Sequence, residues 1–337
     1  MTNIEWTHGN GMKGETWNPV VGCSRASAGC DNCYAVRMSH RLEGMGKPQY
    51  KGLTVLNNKG DRHFNGTVRT IEDALEKPLR WRKPRMIFVN SMSDLFHKDV
   101  PFEFIDKVFA VMALCPQHVF QVLTKRPERM AEYLNWSSGT GMNRDDLVAG
   151  VCMGQLYEYA NESHWCGETD TDYESRIWPL PNVWIGTSAE NQNTLRERAS
   201  NFGQIQAAVH FLSLEPLLGP VDLFSHPHPL EIARTSTGGT TKSGWKPWID
   251  WVIVGGESGP NARVCDVTWI RSVVKQCKEA NVPVFVKQLG AVPRGEFAPN
   301  TTGSDGVWSL QDMKGGDPSE WPEDLRVRQW PEVAATA

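Results

Sequence analysis

The chain has 337 residues, 40% of them hydrophobic and 22% charged, enough apolar mass for one large domain or two small ones and a mixture that excludes disorder, collagen and coiled coil. No run approaches the ~18 apolar residues of a membrane span, and the polar opening Met1–Gly14 lacks the apolar stretch of a signal peptide, so a soluble, cytoplasmic protein is expected. Thirty-five basic against 39 acidic residues argue against a protein that holds nucleic acid by charge spread over its whole surface, but leave room for a local basic groove.

In chain order, Thr16–Val21 reads as a first strand. It runs into a segment where Cys23, Cys30 and Cys33 crowd within eleven residues, whereas Cys115, Cys152, Cys166, Cys265 and Cys277 are scattered. Lys77–Arg85 interleaves five cations with Trp81, a pattern that suits phosphate tracking but also an ordinary solvated loop. Strands follow at Met86–Asn90, Phe120–Thr124, Val183–Thr187, Val209–Leu214, Trp251–Gly255 and Val284–Lys287, each nearly continuous in apolar residues, as strands buried on both faces must be. Helices are expected between them, at Phe102–Leu114, Pro127–Leu134, Glu190–Ser200 and Val267–Ala280. Strand then helix, repeated about six times, is parallel α/β architecture, which a barrel and an open doubly wound sheet satisfy equally. The stretches 135–180 and 217–247 read as loop insertions, the latter with Ser236–Gly239, and the tail after 303 as partly packed.

In a parallel sheet the C-terminal strand ends converge on the ligand site. Here those ends release Ser91, Ser93 and Asp94, then Lys125 and Arg126, then Ser188, Glu190 and Asn191, then Glu215, then Gly256, Glu257 and Ser258, and last Lys287 and Gln288. Together they would line one polar cup, although Ser188 could instead cap the helix near Glu190. Arg129, Arg196 and Arg198 are further cations near that cup and candidates for phosphate.

Three thiolates on one loop can bind a soft metal. A zinc site completed by His40 or a distant Cys and a four-iron cluster with one iron open both fit three sulfurs.

The run Asn18-Pro-Val-Val-Gly-Cys23, with Cys30-Asp-Asn-Cys33-Tyr-Ala leading into a basic helix bearing Arg37 and Arg41, resembles the cluster loop of the radical S-adenosylmethionine superfamily. The spore photoproduct lyase branch, whose loop reads Asn-Pro-x-x-Gly-Cys, is the most similar. Six residues separate the first two cysteines where the superfamily usually has three, Asn32 stands where an aromatic is common, and no Gly-Gly-Glu follows the second strand. The phrases Phe88–Phe96, Leu123–Pro127, Phe211–Pro220 and Val254–Gly259 resemble an uncharacterised family frequent in bacteriophages and prophages.

The superfamily resemblance implies a partial (β/α)6 TIM barrel over 1–303. It implies a [4Fe-4S] cluster on Cys23, Cys30 and Cys33, and S-adenosylmethionine cleaved by one electron to a 5′-deoxyadenosyl radical. It also implies an electron donor such as flavodoxin or ferredoxin. Ser91, Ser93 and Asp94 would take the methionine amine, Lys125 or Arg126 its carboxylate, Ser188 and Glu190 the ribose, and Glu215 the amine or ribose. The expected substrate is DNA carrying a pyrimidine photoproduct, with Cys265 or Tyr34 as hydrogen donor. The alternatives are a radical enzyme that modifies a nucleobase, RNA or a peptide, and a non-catalytic zinc-binding phage protein that binds nucleic acid.

Overall fold

Strands that are apolar on both faces need cover on both, and the computed structural model shows how this chain supplies it. The structure describes residues 4–139, 141–160, 177–224, 248–295 and 306–332. Residues 161–176 and 225–247, with Cys166 and Ser236–Gly239, and the stretch 296–305 lie outside the described residues.

Strand β1 (Lys13–Trp17) is followed by the short β2 (Val20–Val21), β3 (Thr54–Leu56), β4 (Arg62–Phe64) and β5 (Arg69–Thr70). Then come β6 (Arg85–Val89), β7 (Val119–Thr124), β8 (Val183–Ser188), β9 (Val209–Leu214) and β10 (Trp251–Gly255). The last strands are β11 (Cys265–Asp266), β12 (Val284–Gln288) and β13 (Pro293–Arg294). The helices are α1 (Tyr34–Gly44), α2 (Phe102–Ala113), α3 (Pro127–Leu134), α4 (Arg144–Gln155), the short α5 (Tyr157–Ala160), α6 (Gln192–Phe202) and α7 (Val267–Glu279).

Seven strands pair in the order β1-β6-β7-β8-β9-β10-β12, every pair parallel. Each strand lies beside the one before it in the main series, so the sheet winds in one direction and curls into a half-barrel. The doubly wound alternative is thereby excluded, because it requires the strand order to reverse part-way.

Alternation along each strand sorts the side chains. Met86, Phe88, Trp184, Phe211, Trp251, Ile253 and Phe285 point into the concave side around Trp6. On the convex side, Ile87, Val89, Phe120, Val122 and Ile185 pack on α2, α3 and α4, while Leu212, Val252, Val254, Val284 and Val286 pack on α7. The described part of the tail joins this packing: Trp308, Trp321 and Leu325 are buried in the second convex cluster. Residues Val327–Gln329 run along the outer edge of β12, through Val286 N–H to the Val327 carbonyl at 2.8 Å and Gln329 N–H to the Val284 carbonyl at 3.0 Å. That backbone cover protects an edge strand that would otherwise offer unpaired hydrogen-bonding groups.

Three details differ from the sequence reading. The first strand begins at Lys13 and stops at Trp17. Pro19 cannot donate to a ladder, and Val20–Val21 turn away to pair with β5 instead. The segment 135–180 is not all loop, since α4 begins behind a reciprocal capping box between Asn143 and Asp146. The cap of α6 is Asn191 with Thr194, whereas Ser188 is the last residue of β8.

A three-cysteine loop clamped at the sheet mouth

Gly22 starts the loop with φ +87°, and its amide bonds the Met92 carbonyl at 3.3 Å beside the end of β6. A side chain there would strike the Thr67 backbone carbonyl, so the position needs glycine on both conformational and steric grounds. Asn90 ends β6 in the left-handed region at φ 60°, a conformation Asn tolerates, and its Oδ1 accepts the Val20 amide at 3.2 Å.

Three carboxylates from three strand ends hold the cysteine loop. Asp94, beyond β6, accepts the Thr124 hydroxyl (2.7 Å), the Lys125 amide (3.1 Å), the Phe96 amide (3.0 Å) and the Arg126 guanidinium (2.7 Å). So oriented, Arg126 donates to the Ser24 carbonyl and hydroxyl, both at 3.0 Å, and lies 3.9 Å from the Cys23 sulfur. Glu190, beyond β8, takes the Ser27 hydroxyl at 2.7 Å, Lys125 at 2.6 Å and Arg198 at 3.4 Å. Gly29 passes so close to this carboxylate that a Cβ would collide with it. Glu257, beyond β10, accepts the Asn32 amide at 2.9 Å and is gripped by Arg263. The loop is thus fixed at Ser24, Ser27 and Asn32, between and beside its three cysteines.

The thiols of Cys23, Cys30 and Cys33 are free and partly exposed. Burial pushes the Cys23 thiol up to about 12. Asp94 and the two neighbouring cysteines add to this, and Arg126 pulls against it. Burial also raises Cys33, although it is the N-cap residue of α1, where the nearby Ala35 and Val36 amides favour negative sulfur.

Among the described residues no group of three or more His, Cys, Asp or Glu side chains is drawn together closely enough to hold a metal ion. What the loop offers is three soft sulfur donors on a fixed backbone, and that donor chemistry suits an iron–sulfur centre. His40 does not complete it. It lies on the exposed side of α1 beside Glu43, some seven residues or roughly 10 Å of helix beyond Cys33, far outside a ~2 Å zinc–nitrogen bond.

The other expected residues separate into two groups. Asp94, Lys125, Arg126 and Glu190 do gather at the mouth, but they are spent on one another and on the loop. Ser91 and Ser93 are likewise engaged, their hydroxyls going to Asn18 Oδ1 at 3.1 Å and the Val20 carbonyl at 2.8 Å. Ser188 is buried, and its carbonyl receives Arg198 at 2.6 Å. Glu215 differs: among the described residues its one partner ion is Lys287, which lies 3.1 Å from Oε1 and hydrogen-bonds Oε2 at 3.3 Å, so buried Oε1, above Gly255, has a charge beside it but accepts no hydrogen bond. Burial raises its pKa and Lys287 only partly offsets that, so this carboxylate has bonding capacity left for a cationic or hydroxylic ligand. Tyr34, 48% exposed, sets its hydroxyl 2.5 Å from the Ser91 carbonyl at the mouth.

Cys265 lies behind the mouth, its Cβ against Gly256, rather than open to it. It is fully buried in the convex apolar cluster with Val267 and Ile270, and its thiol is pushed up to about 12. Arg129 and Arg198 are also committed, to the Val100 carbonyl at 2.6 Å and to Glu190, leaving Arg196 exposed on α6. The Lys77–Arg85 run lies before the N-terminal end of β6, away from the mouth, with Lys77 and Arg85 flanking the Trp81 ring at 5.3 and 4.8 Å. Sequence reading marked Asn18 and Asn32 only as motif positions and assigned no role to them or to Ser24 and Ser27, whose partners lie 73 to 225 residues away.

Residues 1–315 match a family model described as a protein of unknown function, DUF5131. The chain belongs to the DUF5131 family. No curated protein and no solved structure matches this DUF5131 chain. In it the cysteine loop and all three of its carboxylate clamps fall inside the matched span. Among the described residues no helix is long and apolar enough to cross a membrane.

Proposed function

We propose that this DUF5131 protein is a radical S-adenosylmethionine iron–sulfur enzyme acting on DNA, as a lyase for pyrimidine photoproducts. The observation that carries the reading is the placement of a three-cysteine loop at the C-terminal mouth of a parallel half-barrel, anchored by a carboxylate from each of three strand ends. Cys23, Cys30 and Cys33 would hold a [4Fe-4S] cluster, and a flavodoxin or ferredoxin would supply its electron. When bound, cluster and S-adenosylmethionine supply one-electron chemistry that ends in hydrogen abstraction from the substrate.

The chain's own residues provide placement. Arg126 puts a positive charge beside Cys23, which favours anionic sulfur. Glu215 with Lys287 offers an acceptor and a donor to the amino-acid end or ribose of the cofactor. Tyr34, on the exposed side of the mouth, can return a hydrogen atom to a substrate radical, a part for which buried Cys265 is poorly sited.

Anaerobic purification followed by iron and sulfide analysis tests the centre. About four iron and four sulfide per chain, with broad visible absorbance, is the expected result. Alanine at Cys23, Cys30 or Cys33 should remove the iron and leave the fold largely intact, as circular dichroism would show. A colourless protein containing zinc would overturn the reading. Ultraviolet-irradiated DNA assayed beside undamaged DNA, RNA and peptide then tests the substrate, and turnover confined to one of the latter three would replace the photoproduct assignment.

A further inference from the structure

The cations that the sequence placed around the mouth are mostly spent inside the protein: Lys125 and Arg198 on Glu190, Arg126 on Asp94, and Arg129 on a backbone carbonyl. A polyanionic substrate must therefore find its countercharge elsewhere. The insert between β1 and β6 supplies it. Residues 34–69 carry seven of the chain's 35 basic residues but only two of its 39 acidic ones, Glu43 and Asp61.

This stretch is a small lobe with its own core. Helix α1 packs on the β3–β4 hairpin around Ala35, Tyr50 and Leu53, continuous with Val21 and Met92. The lobe also touches the cysteine loop directly, since the Gly66 amide bonds the Cys23 carbonyl at 3.2 Å. Both of its acids are occupied. Glu43 accepts the Gly52 amide at 2.7 Å and lies by His40, and Asp61 accepts the Asn57 side chain at 3.2 Å. Three of its cations are also engaged: Arg62 on Thr54, Arg69 on the Gln49 carbonyl, and Arg37 packed against Gly259. Arg41, Lys47, Lys51 and Lys59 remain exposed, and among the described residues none makes a side-chain hydrogen bond or ion pair.

Seven cations against two carboxylates on one lobe, in a chain of net charge −4, concentrate positive potential at the flank of the mouth, and four of those cations are exposed and free to meet a ligand. We infer that this lobe is the nucleic-acid-binding surface, with Arg41, Lys47, Lys51 and Lys59 meeting backbone phosphates while a base is presented to the cysteine loop. Spaced point charges on long stems suit a chain of phosphates, which they position without reading sequence. The inference names where the substrate of the proposed reaction binds and so rests on that reading, but phosphate binding itself needs no cluster.

The test is fluorescence anisotropy of a labelled DNA strand, and of its duplex, titrated with the full chain at several salt concentrations. Wild type should bind at least one of the two with a steep salt dependence. The combined variant Arg41→Gln, Lys47→Gln, Lys51→Gln, Lys59→Gln should bind about tenfold more weakly or worse at low salt, with a log–log salt slope smaller by about 3. Arg82→Gln with Lys83→Gln, before the opposite end of β6, should bind as wild type does. An unchanged melting temperature keeps the fourfold variant interpretable, because all four side chains are exposed. Failure of wild type to bind either DNA, or equal binding by the fourfold variant, overturns the inference. Loss of reduction by an acidic electron-transfer protein without loss of DNA binding would assign the lobe to that partner and overturn it too. Iron analysis of the same samples reports on the cluster separately, so the two ideas can fail independently.

Discussion

Glu190 has no exposed side-chain surface, yet it stays ionised. Burial alone would push its carboxyl up, but the Lys125 ammonium and Arg198 guanidinium outweigh burial and hold it down at about 2. A carboxylate with a depressed folded pKa contributes stability above its unfolded pKa and loses that contribution as pH falls towards the folded value. Glu190→Gln should therefore cost about 3 kcal/mol near neutral pH, and the gap from wild type should narrow from about pH 4.5 downward. Urea denaturation at several pH values measures it, and a gap constant across that window would refute the assignment. Because Glu190 also holds Ser27, the variant should retain less iron. As a residue after a strand, Glu190 was legible as part of the mouth. Its use was not, because a carboxylate that binds a ligand and one that clamps a loop look identical until their partners are known.

Elements were legible where one physical signal dominated. Continuous apolar runs marked β6 to β10 and β12, and Pro127 marked the start of α3 at its first turn. Helix α4 lacked such a signal, since Gly150 and Gly154 interrupt it and its buried face includes Arg144 and Asp145. That face works because α2 supplies the countercharge: Arg144 meets Asp106 at 3.1 Å, and Tyr133 donates to the same carboxylate at 2.8 Å. The capping box at Asn143 was the readable clue. Asp106→Ala leaves Arg144 buried without its partner and should destabilise the protein by about 3–5 kcal/mol in denaturant titrations while leaving iron content unchanged. A loss under 1 kcal/mol would mean that Arg144 finds other company, or water.

For the whole molecule, a half-barrel must cover both a concave apolar face and two edges. Segments before β1 and after β13 do so. Trp6 packs on Phe88 with ring centroids 4.8 Å apart. Trp330 stacks edge-on to Phe285 at 5.0 Å and donates to the Trp6 carbonyl at 2.9 Å. Trp6 and Trp330 thus close on one another over the concave side. Trp330→Ala should cost about 2 kcal/mol, since the ring is only half-buried, and should increase binding of an apolar dye as the aromatic lining is uncovered. An unchanged melting temperature and dye signal would show that the tail merely rests there.

What the sequence determined unaided was local: which runs are strands, which edge of the sheet is polar, and that three sulfurs share one loop. Such features follow from spacing and side-chain chemistry within about twenty residues. Tertiary structure decided how the polar edge is used. Asp94, Glu190 and Glu257 hold the loop, Glu215 keeps bonding capacity, Cys265 is buried, and four exposed cations, Arg41, Lys47, Lys51 and Lys59, share a lobe between β1 and β6. The reason is that a charged side chain acts through whatever lies within a few ångströms of it, and here those neighbours come from strands tens to hundreds of residues apart.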